Sequence, residues 1–439
     1  MLEFKRKKSY TKKITFIQPN LIYLKKKRKL RIEPMIYSKL KWLTPEDIEC
    51  ELIDARIEDV NFNIQTDLVV MSVSTLTARS AYKISAEFRK RGIPVVLGGC
   101  HVMLCPDEAK QNADVVCFGE AEITWKELIK DFKKGDLKKE YRCNGRFDFK
   151  EVKADRSIYK KYHYVPITSI EFSRGCMFNC EFCSYAPIYK QQITYREIDD
   201  VVNQIRQNPK RLYVFIDENF GNDIKKTSEL LEKMIPLKTK WAAQMSVNAL
   251  QNPEFVKLMA KSGCDTLFVG FETTNLETLK QMNKMANLKK DSYDIAIQNC
   301  VDNDINIAAG LIVGSDTDTY ETINETYNFV SKHQVLFCNF VNLLPFPGTP
   351  FYERLKKEGR LIFDKWWLED VAPYHTALFV TEHFSAKEME TLGYNYIKKY
   401  YTYKEIFKRF IHSRYRIKSR IKILFGNIFL KYFYIDLTA

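Results

Sequence analysis

The stretch SRGCMFNCEFCSYAP, residues 173–187, sets Cys176, Cys180 and Cys183 in C-x3-C-x2-C spacing. Thiolates are soft ligands that select iron–sulfur clusters or zinc over hard cations. A [4Fe–4S] cluster ordinarily takes four cysteines, so three leave one iron open to a small molecule. Structural zinc closes with four ligands, and the nearest spare donors, Cys143 and His163, stand at irregular distances along the chain. The spacing therefore favours a cluster, with zinc as the alternative. Residues 167–172, immediately upstream, alternate as a strand does, which puts the thiols in a loop at a strand's carboxyl end.

Working outward toward the C-terminus, the pattern repeats. A helix over 197–206 leads to a strand over 211–216 that ends in Asp217, Glu218 and Asn219. A helix over 225–234 precedes a strand at 241–246, where period-2 alternation sets Gln244, Ser246 and Asn248 on one face. A helix over 253–262 then leads to a strand at 266–269 capped by Gly270, Phe271 and Glu272. Helices at 276–282 and 292–299 precede a strand over 305–313 and the loop GSDTDTYE. A helix at 320–331 and a strand at 335–343, ending in LLPFPGTP, complete the series. Six strands with intervening helices predict a partial (β/α)6, TIM-like barrel, an architecture that gathers functional groups at strand carboxyl ends. Each strand-end acid has a plainer reading as the cap of the next helix.

Toward the N-terminus the chain is also α/β. Strands at 13–20, 48–54, 67–73, 94–97 and 115–118, with helices at 78–91, 109–112 and 123–132, predict a Rossmann-like doubly wound parallel sheet. Ligands of such sheets sit beyond the strand carboxyl ends, here Gln18 to Asn20, Ser72 to Thr77, Gly98 to His101 and Gly119 to Glu122. The organisation is thus a Rossmann-like domain over 12–135, a polar linker over 136–164, a barrel over 165–360 and a basic, helical C-terminal extension over 361–439. The extension opens on an aromatic loop, with Trp366, Trp367, Tyr374 and His375, and continues in an amphipathic helix at 386–399 capped by Ser385. Its last stretch mixes Lys and Arg with Phe, Ile, Leu and Tyr. That mixture is read either as an interfacial helix on an anionic membrane or as a helix packed on the barrel.

The 439 residues include 45% hydrophobic and 28% charged residues, ordinary globular values. No apolar run approaches the ~20 residues of a membrane span, and MLEFKRKKSYTKK lacks a signal peptide's apolar stretch. A cytoplasmic protein is expected, with peripheral membrane contact as the variant the tail suggests. In a reducing compartment eleven cysteines imply metal ligation or buried thiols, and Cys50, Cys117, Cys264, Cys300 and Cys338 sit in apolar patterns as core residues. The net charge of +14 is compatible with an anionic partner. It is concentrated at residues 5–13, 25–31 and 398–431, and no stacking-platform motif accompanies it, so nucleic acid is not expected.

The cysteine spacing, with the aromatic Phe182 just before the third cysteine at the end of a first strand, resembles the radical S-adenosylmethionine superfamily. The resemblance implies a [4Fe–4S] cluster on Cys176, Cys180 and Cys183, with S-adenosylmethionine on the open iron and Phe182 near its adenine. It implies that Asp217, Glu218 or Asn219 accepts from the ligand's amino group. Glu272 in GFET would hold the ribose or the amine, Gln244 would line the site, and Gly310 and Gly314 would lie close to the adenine. Upstream, the S-x-S-T-x-T loop at 72–77, GGCH at 98–101 and CFGEAEITWKELIKD at 117–131 resemble the cobalamin-binding domain of cobalamin-dependent members of that superfamily. This implies corrin contacts from Ser74, Thr75, Thr77, Gly98, Gly99, Gly119 and Glu120. His101 is read either as a further contact or as a polar residue of the Gly-Gly turn. No D-x-H-x-x-G motif is present, so no histidine of that kind replaces the lower cobalt ligand.

The function so implied is methyl transfer to an unactivated sp3 carbon of a small-molecule or lipid-like substrate. A flavodoxin or ferredoxin would be the reductant. The alternatives are a relative that cyclises, oxidises or rearranges without methyl transfer, and an iron–sulfur or zinc protein that binds nucleic acid through its basic ends.

Overall fold

The computed structural model describes residues 11–21, 31–143, 145, 153–207, 212–288, 292–333, 335 and 337–438. The basic runs at 5–13 and 25–31 lie outside them except for Lys12, Lys13 and Arg31. The described residues form two compact units, one running up to Val165 and including Trp367–Asp370, the other holding the rest.

The first unit is built on six strands, β1 (Lys12–Gln18), β2 (Ile48–Asp54), β3 (Leu68–Ser72), β4 (Val95–Gly98), β5 (Val115–Phe118) and β6 (Glu140–Arg142). They are all parallel, in the order β2-β1-β3-β4-β5-β6. The order reverses between β1 and β3, as in a doubly wound sheet. Helix Ala78–Lys90 buries Ala81, Ile84 and Phe88, and helix Ala121–Lys134 buries Trp125, Leu128, Ile129 and Phe132. Both show the three- and four-residue spacing of an amphipathic helix. Several features depart from the sequence expectation. A helix at Met35–Leu43 stands where a basic loop gives way to unassigned sequence, opening at Pro34 and burying Tyr37 and Leu40. The stretch read as a linker supplies β6 and buries Tyr141, Ile158 and Tyr159 in this unit's core. Its anchors are single aromatic and aliphatic residues without a period, which is why the segment reads as loop. The aromatic loop of the C-terminal extension likewise divides, since Trp367–Asp370 belong to this unit.

In the second unit β7 (Ile167–Ile170) opens a six-stranded parallel sheet, and β8 (Ser173–Arg174) and β9 (Thr194–Tyr195) form a short antiparallel pair beside it. The sheet continues with β10 (Leu212–Phe215), β11 (Trp241–Met245), β12 (Cys264–Glu272), β13 (Asn306–Val313) and β14 (Phe337–Asn342), in the order β14-β13-β12-β11-β10-β7. Neighbours in sequence are neighbours in the sheet, and β7 and β14 remain edges, the topology of a barrel left open. Tyr213, Phe215, Ala243, Met245, Leu267, Val269, Leu311 and Phe340 point into the core, while the alternate residues Ile216 and Phe268 are exposed, as is Gln244. The open face of the sheet is therefore the accessible one. Gln244, Ser246 and Asn248 do not share it, because β11 stops at Met245 and Ser246 begins the short helix Val247–Leu250. Cys117, Cys264, Cys300 and Cys338 are buried as expected and Cys50 partly so; burial alone pushes the Cys300 thiol up to about 12. No described helix is long and apolar enough to cross a membrane.

Candidate active site

The cysteine loop leaves β7 and is fixed from both sides before any side chain in it can act. At the end of β10 the buried Asp217 accepts from the Phe172 amide at 3.0 Å, the Ser173 amide at 2.5 Å and the Ser173 hydroxyl at 2.6 Å. Burial pushes its carboxyl up to about 7, against the pull of those donors. Glu218 accepts from the Gly175 amide at 2.8 Å, and its carboxyl is also raised by burial. Gly175 has φ of 95°, and a Cβ there would run into the Gln192 carbonyl, so the turn into Cys176 requires glycine. Asn222 bridges the same turn, donating to Gly175 O at 2.8 Å and accepting from the Met177 amide at 3.1 Å. On the far side the Glu181 amide donates to Met282 O at 3.0 Å and the Phe351 amide to Glu181 O at 3.2 Å. Arg354 Nε donates to the Glu181 carboxylate at 2.9 Å, and its Nη1 to Asp316 at 3.2 Å.

Cys180 is buried, Cys176 and Cys183 partly so, and none is in a disulfide. Burial pushes the Cys180 thiol up to about 11 and raises Cys176 as well. Sequence reasoning missed the cation beside them. Lys284 Nζ lies 2.7 Å from Glu272 Oε1 and 6.0 Å over the Phe182 ring. Burial disfavours its charge, but Glu272 and Cys180 outweigh burial and raise the lysine further. Glu272 sits at a register shift in β12 with φ of 63°, and its carboxylate folds back over Gly270, where a Cβ would collide with it and stand 3.1 Å from Lys284 Nζ. Nothing in the local sequence MNKM marks Lys284. The available signal is its place one helix beyond a strand-end acid. Three thiols in one braced loop, with a buried cation to offset the charge of their thiolate forms, fit a thiolate-held cluster.

The remaining expected residues divide by position. Gln244 is exposed on the accessible face, and Gly270, Gly310 and Asn339 lie in register across β12, β13 and β14. A Cβ on Gly310 would meet only ordinary contacts at 3.7 and 3.9 Å, so the chain's own packing does not demand glycine there. Its effect is to leave that face flat, which suits a planar ring. Asn219 is buried and ties β10 to β11, accepting from the Ser246 amide at 3.1 Å. Gly314 lies beneath Met389 and donates to Asp318 at 2.9 Å. Phe182, Glu218, Glu272 and the three cysteines are thus brought to one loop, whereas Asp217 and Asn219 brace its surroundings.

In the first unit the strand ends carry a second constellation. The Ser74 amide donates to Thr77 Oγ1 at 3.0 Å, shaping the turn after β3. Gly98 closes β4, and a Cβ on Gly99 would stand 2.7 Å from Val73 N. Gly99 and Gly119 are exposed, and Glu120 opens the helix that follows β5. Two exposed glycines at adjacent strand ends present backbone instead of side chains, which fits a large, flat ligand such as a corrin. His101 is fully buried, its Nδ1 3.2 Å from Thr75 Oγ1 and its Nε2 3.1 Å from Glu108 Oε1. Trp367 Nε1 donates to the same Glu108 oxygen at 2.9 Å. This places His101 inside the unit as a polar residue of the Gly-Gly turn, with both nitrogens engaged.

Two family models match the chain. Residues 44–129 match the B12 binding domain and residues 170–330 the Radical SAM superfamily. Bacteriochlorophyllide d C-12(1)-methyltransferase of Chlorobaculum tepidum is 33% identical over 308 residues, 67% of this chain and 67% of that protein. Bacteriochlorophyllide d C-8(2)-methyltransferase of the same organism is 29% identical over 430 residues, 92% of this chain and 93% of that protein. Among solved structures, the radical S-adenosylmethionine methyltransferase TsrM from Kitasatospora setae superposes with a TM-score of 0.65 at 17% identity, over 79% of this chain and 76% of that one.

Proposed function

Because the chain belongs to the cobalamin-dependent radical S-adenosylmethionine enzymes, we propose that it methylates an sp3 carbon on the periphery of a hydrophobic, polycyclic small molecule of the tetrapyrrole class. The observation that carries the substrate class is the similarity along 92% of the chain to a bacteriochlorophyllide d C-8(2)-methyltransferase. When bound, the cluster supplies the electron that cleaves S-adenosylmethionine, and cobalamin carries the methyl group. The chain's own residues do the positioning. Cys176, Cys180 and Cys183 hold the cluster, and Asp217, Glu218 and Asn222 fix the loop that presents them. Lys284 offsets the negative charge of the thiolates and holds Glu272 at the strand end, where that carboxylate serves the S-adenosylmethionine ribose or amine. Phe182 and the open backbone at Gly310 receive the adenine. Ser74, Thr75, Thr77, Gly98, Gly99, Gly119 and Glu120 form the floor for cobalamin.

Anaerobic reconstitution tests this reading. The expected outcome is about four iron per chain, as one [4Fe–4S] cluster requires, together with retained corrinoid. With reduced flavodoxin or ferredoxin and a bacteriochlorophyllide, 5′-deoxyadenosine and S-adenosylhomocysteine accumulate together with a product heavier by one methylene. Deoxyadenosine without S-adenosylhomocysteine would refute methyl transfer in favour of cyclisation, oxidation or rearrangement. Turnover on a linear lipid but no tetrapyrrole would refute the substrate class.

A further inference from the structure

The C-terminal tail of the second unit ends in two helices, Tyr403–His412 and Ile417–Thr438. They run antiparallel and are pinned together. Arg409, fully buried, donates to Tyr400 O at 2.9 Å and to Asn427 Oδ1 at 2.8 Å. Arg420 donates to Phe410 O at 2.6 Å, and the Tyr403 and Tyr432 hydroxyls meet at 3.0 Å. On the inner side Ile406, Ser419, Ile423 and Asn427 are buried. The outer side is apolar as well. Phe407 and Ile411 on the first helix are 50% and 62% exposed, and Ile421, Phe425 and Phe429 on the second are 44%, 66% and 60% exposed. The four-residue spacing lines each set up as a stripe along its helix, and the Tyr403–Tyr432 pair closes the end.

An exposed apolar stripe of this kind on an otherwise packed domain marks an interaction surface, and its charge says with what. Against Glu405 and Asp436, residues 403–439 carry nine lysines and arginines, of which Arg409 is buried and Lys422 is paired with Asp265. Lys404, Lys408, Arg414 and Arg416 are exposed, the first two next in sequence to the stripe residues Tyr403 and Phe407. Aromatic and aliphatic side chains flanked by long basic ones, with tyrosines at the margin, have the composition of a helix that lies in the headgroup region of an anionic bilayer. Neither helix is long and apolar enough to cross it.

We propose that this helical hairpin docks the protein on the surface of an anionic phospholipid membrane, with Phe407, Ile411, Ile421 and Phe425 in the acyl boundary and the flanking lysines and arginines on the lipid phosphates. The test is co-sedimentation of the full, cluster-loaded chain with vesicles of phosphatidylcholine containing 30% phosphatidylglycerol, and with vesicles of phosphatidylcholine alone. Partitioning onto the anionic vesicles should be at least about tenfold stronger and fall steeply between 0.1 and 0.5 M salt, as surface electrostatics requires. The double variant Phe407→Ser, Phe425→Ser should lose at least about tenfold in partitioning while keeping its iron content and circular dichroism. No sedimentation, equal binding to both vesicle types, or full binding by the double variant would overturn the proposal. So would a wild-type dimer in light scattering that the double variant converts to monomer, since a second copy would then cover the stripe.

Discussion

Replacing Lys284 by methionine removes the cation from a pair whose side chains are only 13% and 9% exposed and whose charged atoms are 2.7 Å apart. At an effective dielectric of about 20 the attraction is roughly 6 kcal/mol, part of which is consumed by desolvation. What remains after the substitution is a buried carboxylate on a residue already held at φ of 63°. Breaking a buried pair from one side costs about 3–5 kcal/mol. Removing both charges, in Glu272→Gln with Lys284→Met, strands no charge and should cost under about 2 kcal/mol, well below the sum of two single changes at about 3–5 kcal/mol each, so the two changes couple by at least about 4 kcal/mol. The assay is anaerobic urea unfolding of the four proteins of the cycle at matched iron content, followed by circular dichroism. Lys284→Met loses S-adenosylmethionine cleavage as well, and the double variant recovers stability without recovering cleavage. Single variants that add within about 0.5 kcal/mol, the usual limit for independent sites, would refute the buried pair as a unit.

Cys180→Ala should abolish S-adenosylmethionine cleavage and lower bound iron while leaving the circular dichroism spectrum in place; persistent cleavage would remove the cysteine loop from the chemistry. Gly175→Ala places a side chain against the Gln192 carbonyl at a left-handed φ and should cost about 3 kcal/mol or more, read as failure to load iron at a temperature the parent tolerates. Asp217 makes a pH prediction. Its folded pKa of about 7 is above the ordinary 3.8, so its stabilising contribution is complete below about pH 4. That contribution is lost as pH rises toward 7 and through it. Asp217→Asn should therefore flatten the fall in urea midpoint between pH 5 and 8 relative to the parent, and an unchanged slope would count against the raised pKa.

The strands were legible because buried parallel strands read as short apolar runs between breakers, as in residues 48–54 and 115–118, which form β2 and β5. The cysteine loop was legible because ligand spacing is local. What escaped was set by contacts across the chain. Asp217 reads as a ligand-binding acid at a strand end, yet three donors from Phe172 and Ser173 engage it. Lys284 is one lysine among many until the fold buries it on Glu272. Tyr141 gives β6 its only inward side chain, too little for a periodic signal. His101 was undecided between two readings because sequence places it beside Gly99 without saying that Thr75 and Glu108 converge on its ring.

One contact in the second unit bears on how the enzyme would face its surroundings. Helix Ala386–Tyr400 approaches β14 so closely that a Cβ on Gly393 would stand 2.6 Å from Phe340 O. Asn342 at the end of β14 accepts from the Gly393 amide at 3.2 Å, and Arg409 clamps the next helix onto Tyr400. Strand and tail are thus joined by direct contact and hydrogen bonds. Anchoring the tail would then aim the open barrel as a keel aims a hull, and the direction in which substrate enters would follow from the surface on which the tail rests.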